Sequence, residues 1–303
     1  MIRAMILVTG AAGFLGHALA RELVTRGDAV AGTSRDGAGV PEGADPLALS
    51  LDDGGLEGAA LLRRLRPSAV LHLAAMADAD ACARAPAAAQ RVNVEATGRL
   101  AAAAAELGAR FVYTSSDLVF DGSRAPYAED DPPAPLGPYM ASKAAGEAAA
   151  LEAAPDALVA RVALLYGLRR GRKGCFTDLL VERLQRGESV RLFTDQHRTP
   201  LLVDDAAELL ADLLERGAAG RVHVGGPERV SRLEHGVAIA RALGLDPAGC
   251  VPSRMSDAPG LSARPADVAL RIERLVSLVG RSPLGLADGC GRLASMRPPR
   301  PLA

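Results

Sequence analysis

Met5-Ile6-Leu7-Val8-Thr9-Gly10-Ala11-Ala12-Gly13-Phe14-Leu15-Gly16 is the stretch that decides the fold. Its first five residues, Met5–Thr9, are a short apolar run of strand length. Gly10, Gly13 and Gly16 follow in a GxxGxxG spacing, and residues 18–26 read as a helix ended by Gly27. Glycines between a first strand and a first helix allow a tight turn and a close backbone approach to a pyrophosphate. The free N–H groups and dipole of the helix N-terminus favour that anion. Gly10, Gly13, Phe14 and Leu15 are therefore candidate cofactor contacts. The spacing is not the usual GxGxxG fingerprint, so its weight comes from the strand before it and the helix after it.

Working outward, strands and helices alternate. Strands are expected at residues 29–33, 47–51, 69–73, 110–114 and 158–164. Between them, helices are expected at Leu56–Leu65, at 86–107 as one long helix closed by Gly108, and at 139–153. This order predicts an α/β fold with a doubly wound parallel sheet, whose ligands bind beyond the carboxyl ends of the strands. The second strand ends in Gly32-Thr33-Ser34-Arg35-Asp36. An acid just past this strand would hold the ribose 2′-hydroxyl of NAD, whereas an arginine accommodates the 2′-phosphate of NADP. Ser34 stands at the acid's place and Arg35 follows, which favours NADP(H), with NAD(H) as the alternative. Asp36 counts the other way, because a carboxylate repels a phosphate.

Tyr139 and Lys143 lie four residues apart in Gly137-Pro138-Tyr139-Met140-Ala141-Ser142-Lys143. That spacing puts a phenol and an ammonium on one helix face, one turn apart. A nearby cation favours the phenolate and is expected to lower a pKa that is normally about 10.

Composition excludes other chemistries. The 303 residues are 49% hydrophobic, enough for a large core, and the net charge is −1. No electrostatic footprint for nucleic acid or an anionic membrane results. Aromatic residues are 3% of the chain and Trp is absent, which argues against base-stacking platforms. Cys82, Cys175, Cys250 and Cys290 are far apart, so neither a zinc site nor a disulfide framework is indicated, and a reduced, cytoplasmic protein is expected. No stretch is long and apolar enough for a membrane span.

The glycine loop, Leu73-Ala74-Ala75 ending the fourth strand, Asn93, Thr114-Ser115-Ser116 and the Tyr139/Lys143 pair together resemble the extended short-chain dehydrogenase/reductase superfamily. The resemblance implies a catalytic triad of Ser116, Tyr139 and Lys143 in a Rossmann-type domain. It adds Leu73, Ala74, Ala75, Asn93 and Lys143 to the cofactor contacts, and Asp52 near the adenine. Within that superfamily, residues 111–122, Tyr127-Ala128-Glu129-Asp130, Asp195-Gln196-His197-Arg198-Thr199-Pro200 and Arg264-Pro265 are similar to the dTDP-4-dehydrorhamnose reductase pattern. This resemblance spans roughly residues 4–288 and implies a nucleotide-linked 4-keto sugar substrate and a homodimer. It also implies a cofactor domain at 1–167 plus 200–226, a substrate region at 168–199 plus 227–290, and a tail at 291–303.

Candidate substrate contacts are Asp117, Leu118, Cys175 and Arg198. Leu118 departs from the pattern, which has a tyrosine there, and leaves the sugar open; it also cannot act as the base of a dehydratase. Arg169, Arg170, Arg172 and Lys173 form a basic loop facing either a nucleotide diphosphate or solvent. Two alternatives stand beside the sugar reductase. One is a ketoreductase of a non-sugar metabolite. The other is an NADP-binding regulatory subunit of a partner enzyme such as methionine adenosyltransferase, to which a branch of the family is similar.

Overall fold

Period-two alternation along the first strand sends Ile6 and Val8 to one apolar layer and Leu7 to the opposite one. A strand buried on both faces belongs inside a parallel sheet with helices on each side, and a computed structural model has that arrangement. It describes residues 5–172, 174–258 and 264–296. In chain order the larger elements are β1 (Met5–Thr9), α1 (Phe14–Thr25), β2 (Ala29–Ser34), β3 (Asp45–Ala48), α2 (Leu56–Leu65) and β4 (Ala69–His72). They continue with α3 (Ala79–Arg84), α4 (Pro86–Gln90), a π turn (Arg91–Glu95), α5 (Ala96–Glu106), β5 (Arg110–Ser116), α6 (Pro138–Ala153) and β6 (Leu158–Val162). Next come β7 (Leu165–Tyr166), α7 (Phe176–Gln185), β8 (Val190–Phe193), β9 (His197–Arg198), β10 (Leu201–Leu202), α8 (Val203–Glu215) and β11 (Gly220–Val224). The chain ends with β12 (Val230–Ser231), α9 (Arg232–Ala242), β13 (Cys250–Ser253), α10 (Glu273–Val279) and α11 (Leu286–Ser295).

Seven parallel strands form one sheet in the order β11-β6-β5-β4-β1-β2-β3. The order reverses between β1 and β4, and that switch point opens a crevice at the strands' carboxyl ends. Helices α1, α8 and α10 cover one face through Leu19, Leu23, Leu209, Leu210, Leu213 and Leu275. Helices α2, α5 and α6 cover the other, where the alanines of α5 let helix and sheet approach closely. A separate apolar cluster built on Tyr166, Leu180, Leu192, Ile239 and Leu293 joins α7, β8, α9 and α11 at the carboxyl end of the sheet.

Four expectations are corrected. The third strand runs Asp45–Ala48, because β2 pairs in register from Ala31↔Asp45 to Ser34↔Ala48 and the chain then turns at Ser50–Asp52. The helix expected at 86–107 is broken by the π turn around Asn93. The strand expected at 158–164 stops at Val162, after which Leu165–Tyr166 pairs with Leu201–Leu202 instead. The tail expected at 291–303 is helical as far as Ser295, because Cys290 and Leu293 are buried in the third cluster; residues 297–303 lie outside the described residues.

Helix α6 is fixed to the sheet by charge. Glu147 accepts from Arg161 on β6 at 2.8–3.2 Å and from Ser115 Oγ on β5 at 2.6 Å. Arg161 and Glu147 are 0% and 1% exposed. Arg161→Ala leaves a buried carboxylate without its main partner, so urea unfolding at neutral pH should report a loss of about 3–5 kcal/mol. A loss under about 1 kcal/mol, the range of an exposed pair, would show that this pair does not anchor α6.

Candidate active site

The glycine loop is shaped for close approach. A Cβ on Gly10 would meet Ala74 N at 2.9 Å, and one on Gly16 would meet Gly10 O at 2.2 Å. Gly10 also has φ +72°, a left-handed conformation that favours glycine. Gly13 caps α1 without a side-chain hydrogen bond, so the N–H groups of the first turn, beginning at Phe14 and Leu15, are free for an anion. The loop is held to β4 by Thr9, whose Oγ1 accepts from Leu73 N and Ala74 N, both at 3.1 Å. Thr9 Oγ1 is also 2.7 Å from His72 Nδ1, and His72 Nε2 is 3.2 Å from Thr97 Oγ1. Leu73, Ala74 and Ala75 thus run beside the loop at the switch point, half-buried. These features fit the pyrophosphate of a dinucleotide.

At the end of β2, the Ser34 hydroxyl is 2.9 Å from Ala38 O and 3.1 Å from Asp36 Oδ1. Arg35 is exposed and has no ion-pair or hydrogen-bond partner among the described residues. Asp52 accepts from Ser50 Oγ at 2.9 Å in the exposed turn after β3. Asn93 is not placed as a cofactor contact. Its amide is buried and spent on Met76 N at 2.8 Å, Met76 O at 3.0 Å and Ser142 Oγ at 2.9 Å. The π turn swings Asn93 out of helical register to clasp the loop after β4.

Tyr139 and Lys143 share one face of α6, and Ser116 ends β5 beside it. Lys143 is buried; its Nζ donates to Thr114 O at 2.7 Å and stands 4.2 Å from the Tyr113 ring centre. Burial pulls its pKa down to about 7 against the opposing pull of Glu147. The lowering expected for Tyr139 is not found. Burial, and then the carboxylate of Asp117, push it up to about 12. Lys143 is turned to Thr114, and desolvation dominates. Ser116 Oγ donates to Asp117 Oδ1 at 3.1 Å and accepts from Leu118 N at 3.2 Å.

Tyr139 opens into a cavity of about 520 Å³. Asp117 and Leu118 line it, as does Arg198, which is buried and held by the carbonyls of His197 and Pro265. Asp117 is buried, its Oδ2 has no partner among the described residues, and its pKa is raised by burial. The lining also includes Phe176, Arg191, Arg232 and Arg264. Arg232 lies 4.0 Å over the Phe176 ring, and its Nη1 is buried without a partner among the described residues. Reading the sequence missed Arg232. The signal was there: a cation in the first turn of a helix opposes the dipole, so it marks a residue kept for another reason.

Cys175 does not line this cavity. It caps α7, with its thiol donating to Gly167 O at 3.3 Å, and Phe176 takes the wall instead. The basic loop also lies elsewhere. Arg170 pairs with Asp204 and Arg172 with Asp36, on the cofactor side; Lys173 is outside the described residues. Among the described residues there is no cluster of three metal-ligating side chains, and no helix is long and apolar enough to cross a membrane.

Residues 4–286 match the family model described as RmlD substrate binding domain. The chain belongs to that family. A probable low-salt glycan biosynthesis reductase of Haloferax volcanii is 33% identical over 290 residues, covering 94% of this chain and 96% of the relative. The dTDP-4-dehydrorhamnose reductase of Mycobacterium tuberculosis is also 33% identical, covering 92% and 88%. Methionine adenosyltransferase 2 subunit beta of Pongo abelii is 33% identical, covering 90% and 82%. In fold, the chain matches a solved dTDP-4-dehydrorhamnose reductase of Bacillus anthracis with a TM-score of 0.84 at 24% identity, covering 96% and 98%.

Behind Phe176, His235 is buried with neither ring nitrogen partnered among the described residues, and desolvation holds its pKa at about 3. The folded state binds fewer protons than the unfolded chain between pH 6.5 and 3, so stability falls as pH drops through that window. His235→Leu loses no hydrogen bond and should narrow the difference in Tm between pH 7 and pH 4.5. An unchanged difference would mean that His235 is protonated in the fold.

Proposed function

We propose that this protein reduces a ketone to an alcohol with NADPH, and that the ketone is the 4-keto group of a nucleotide-linked deoxy sugar. The carrying observation is the cavity, whose lining includes the phenol of Tyr139, protonated at neutral pH, and four arginines, Arg191, Arg198, Arg232 and Arg264. Arginine forks match the oxygens of a diphosphate. The reductases of Haloferax and Mycobacterium support the reading by their similarity over nearly the whole chain. On this reading residues 168–199 and 227–290 form the substrate region, and NAD(H) is the weaker alternative cofactor.

NADPH, when bound, supplies the hydride. As it reaches the carbonyl carbon, negative charge grows on the oxygen. Tyr139 gives that oxygen a proton, and a pKa of about 12 keeps the phenol loaded at neutral pH. Ser116 steadies the same oxygen by a hydrogen bond, exchanging its present bond to Asp117. Lys143, one turn along α6 and buried against Thr114 O, carries a proton for part of the time at neutral pH, and in that form it would favour the phenolate left behind. Leu118 presents an apolar surface where a polar contact to the sugar would otherwise stand.

Purified protein mixed with NADPH and dTDP-4-keto-6-deoxy sugar should consume NADPH, followed by nicotinamide absorbance. Tyr139→Phe should lower the rate roughly a hundred- to ten-thousandfold while NADPH still binds. No consumption with any nucleotide-linked keto sugar would sink the substrate reading. The relative named as a methionine adenosyltransferase subunit supports a second reading, a regulatory subunit that binds NADP. A partner enzyme whose kinetics respond equally to wild type and Tyr139→Phe would favour it.

A further inference from the structure

After β7, residues 168–172 run as a strap toward the cofactor edge. Three contacts tie it down. Arg172 N donates to Ala12 O of the glycine loop at 3.0 Å, and a Cβ on Gly171 would meet the same carbonyl at 2.6 Å. Arg170 pairs with Asp204 at the start of α8. The Arg172 guanidinium reaches the end of β2, where Nη1 lies 2.8 Å from both carboxylate oxygens of Asp36. The stem of Arg172 packs against Gly39, whose added Cβ would lie 3.0 Å from Arg172 Cγ.

Stability does not explain this placement. The pair is half exposed, at 54% and 52%, and such pairs contribute little. Charge explains it better. Arg35 and Asp36 alone cancel at the edge that a 2′-phosphate must occupy; with Arg172 the edge is net positive. Asp36 uses only Nη1, so Nε and Nη2 of Arg172 have no partner among the described residues. A guanidinium offers five donors in a fork that suits phosphate.

We propose that Arg172 determines cofactor specificity: delivered by the strap to the β2 edge, it neutralises Asp36 and shares the 2′-phosphate of NADP(H) with Arg35. The proposal rests on the cofactor reading above. The same carboxylate that counts against NADP in the sequence becomes the anchor of a phosphate ligand.

Calorimetric titration of Arg172→Ala with NADP⁺, NAD⁺ and 2′,5′-ADP tests it without any turnover. Affinity for NADP⁺ and 2′,5′-ADP should fall roughly ten- to hundredfold, the range for a lost charged hydrogen bond, with NAD⁺ unchanged. Adding Asp36→Asn to that variant should recover part of the loss. Equal losses for NADP⁺ and NAD⁺ would reduce Arg172 to a backbone clasp, and undiminished NADP⁺ binding would remove it from the pocket; either overturns the proposal. A wild-type protein that prefers NAD⁺ would overturn the cofactor reading itself.

Discussion

The buried Glu147–Arg161 pair is the constraint on which the site depends. Both side chains are out of solvent, and desolvating two charges costs more than a simple pair returns. The arrangement is tolerable only because every partner is in place. Ser115 on β5 and Arg161 on β6 meet the carboxylate, Arg221 of β11 approaches to 3.4 Å, and Arg161 Nη1 donates to Glu129 O at 3.0 Å. Three neighbouring strands therefore agree on one position for Glu147. Rotating α6 by a single residue would strand all of these groups, so the network fixes rotation and depth rather than adding much stability. Tyr139 and Lys143 sit two turns and one turn before Glu147 on the same face, and inherit that placement.

Burial of these groups sets the electrostatics of the site. Lys143 lies one turn from Glu147 and is drawn toward it, yet burial still brings the ammonium down to about 7. The phenol beside it moves the other way, away from ionisation. Both shifts have one cause, loss of water, acting on groups whose charged forms have opposite signs. The result suits reduction, because the phenol enters the reaction protonated. The charge of Arg198 bears on the buried Asp117, while Arg232 Nη1 has no partner among the described residues. The cavity lining therefore combines a phenol and a buried carboxyl with several arginines.

The sheet and its loop were legible in the sequence because they obey local rules. Period-two apolar runs, glycines at strand ends and a four-residue Tyr–Lys gap all state their purpose within a few residues. The π turn at Asn93 was not legible, since an alanine-rich stretch fits an unbroken helix equally well until Met76 is brought beside it. The ion network around Glu147 was hidden for the same reason: Ser115, Arg161 and Arg221 are ordinary residues until the strand order makes them neighbours. Arg232 and the strap are long-range facts too, decided by how the last third of the chain folds back over the sheet. The Tyr139 pKa shows the limit most clearly, because spacing reveals a neighbouring charge but not the desolvation that outweighs it.

The same desolvation bears on whether this is an enzyme or a protein kept only for binding. A chain retained for its surface gains nothing from burying Lys143, whose ammonium loses water and recovers one carbonyl, Thr114, and one aromatic face. Nor does a binding role require a half-buried phenol opening into a cavity that also holds the buried carboxyl of Asp117. Perturbed titratable groups gathered at one cleft are what proton transfer needs. They sit near the sheet's switch point, in a cavity whose lining also carries arginines. Shifted titratable groups gathered around one cavity favour catalysis over a structural role.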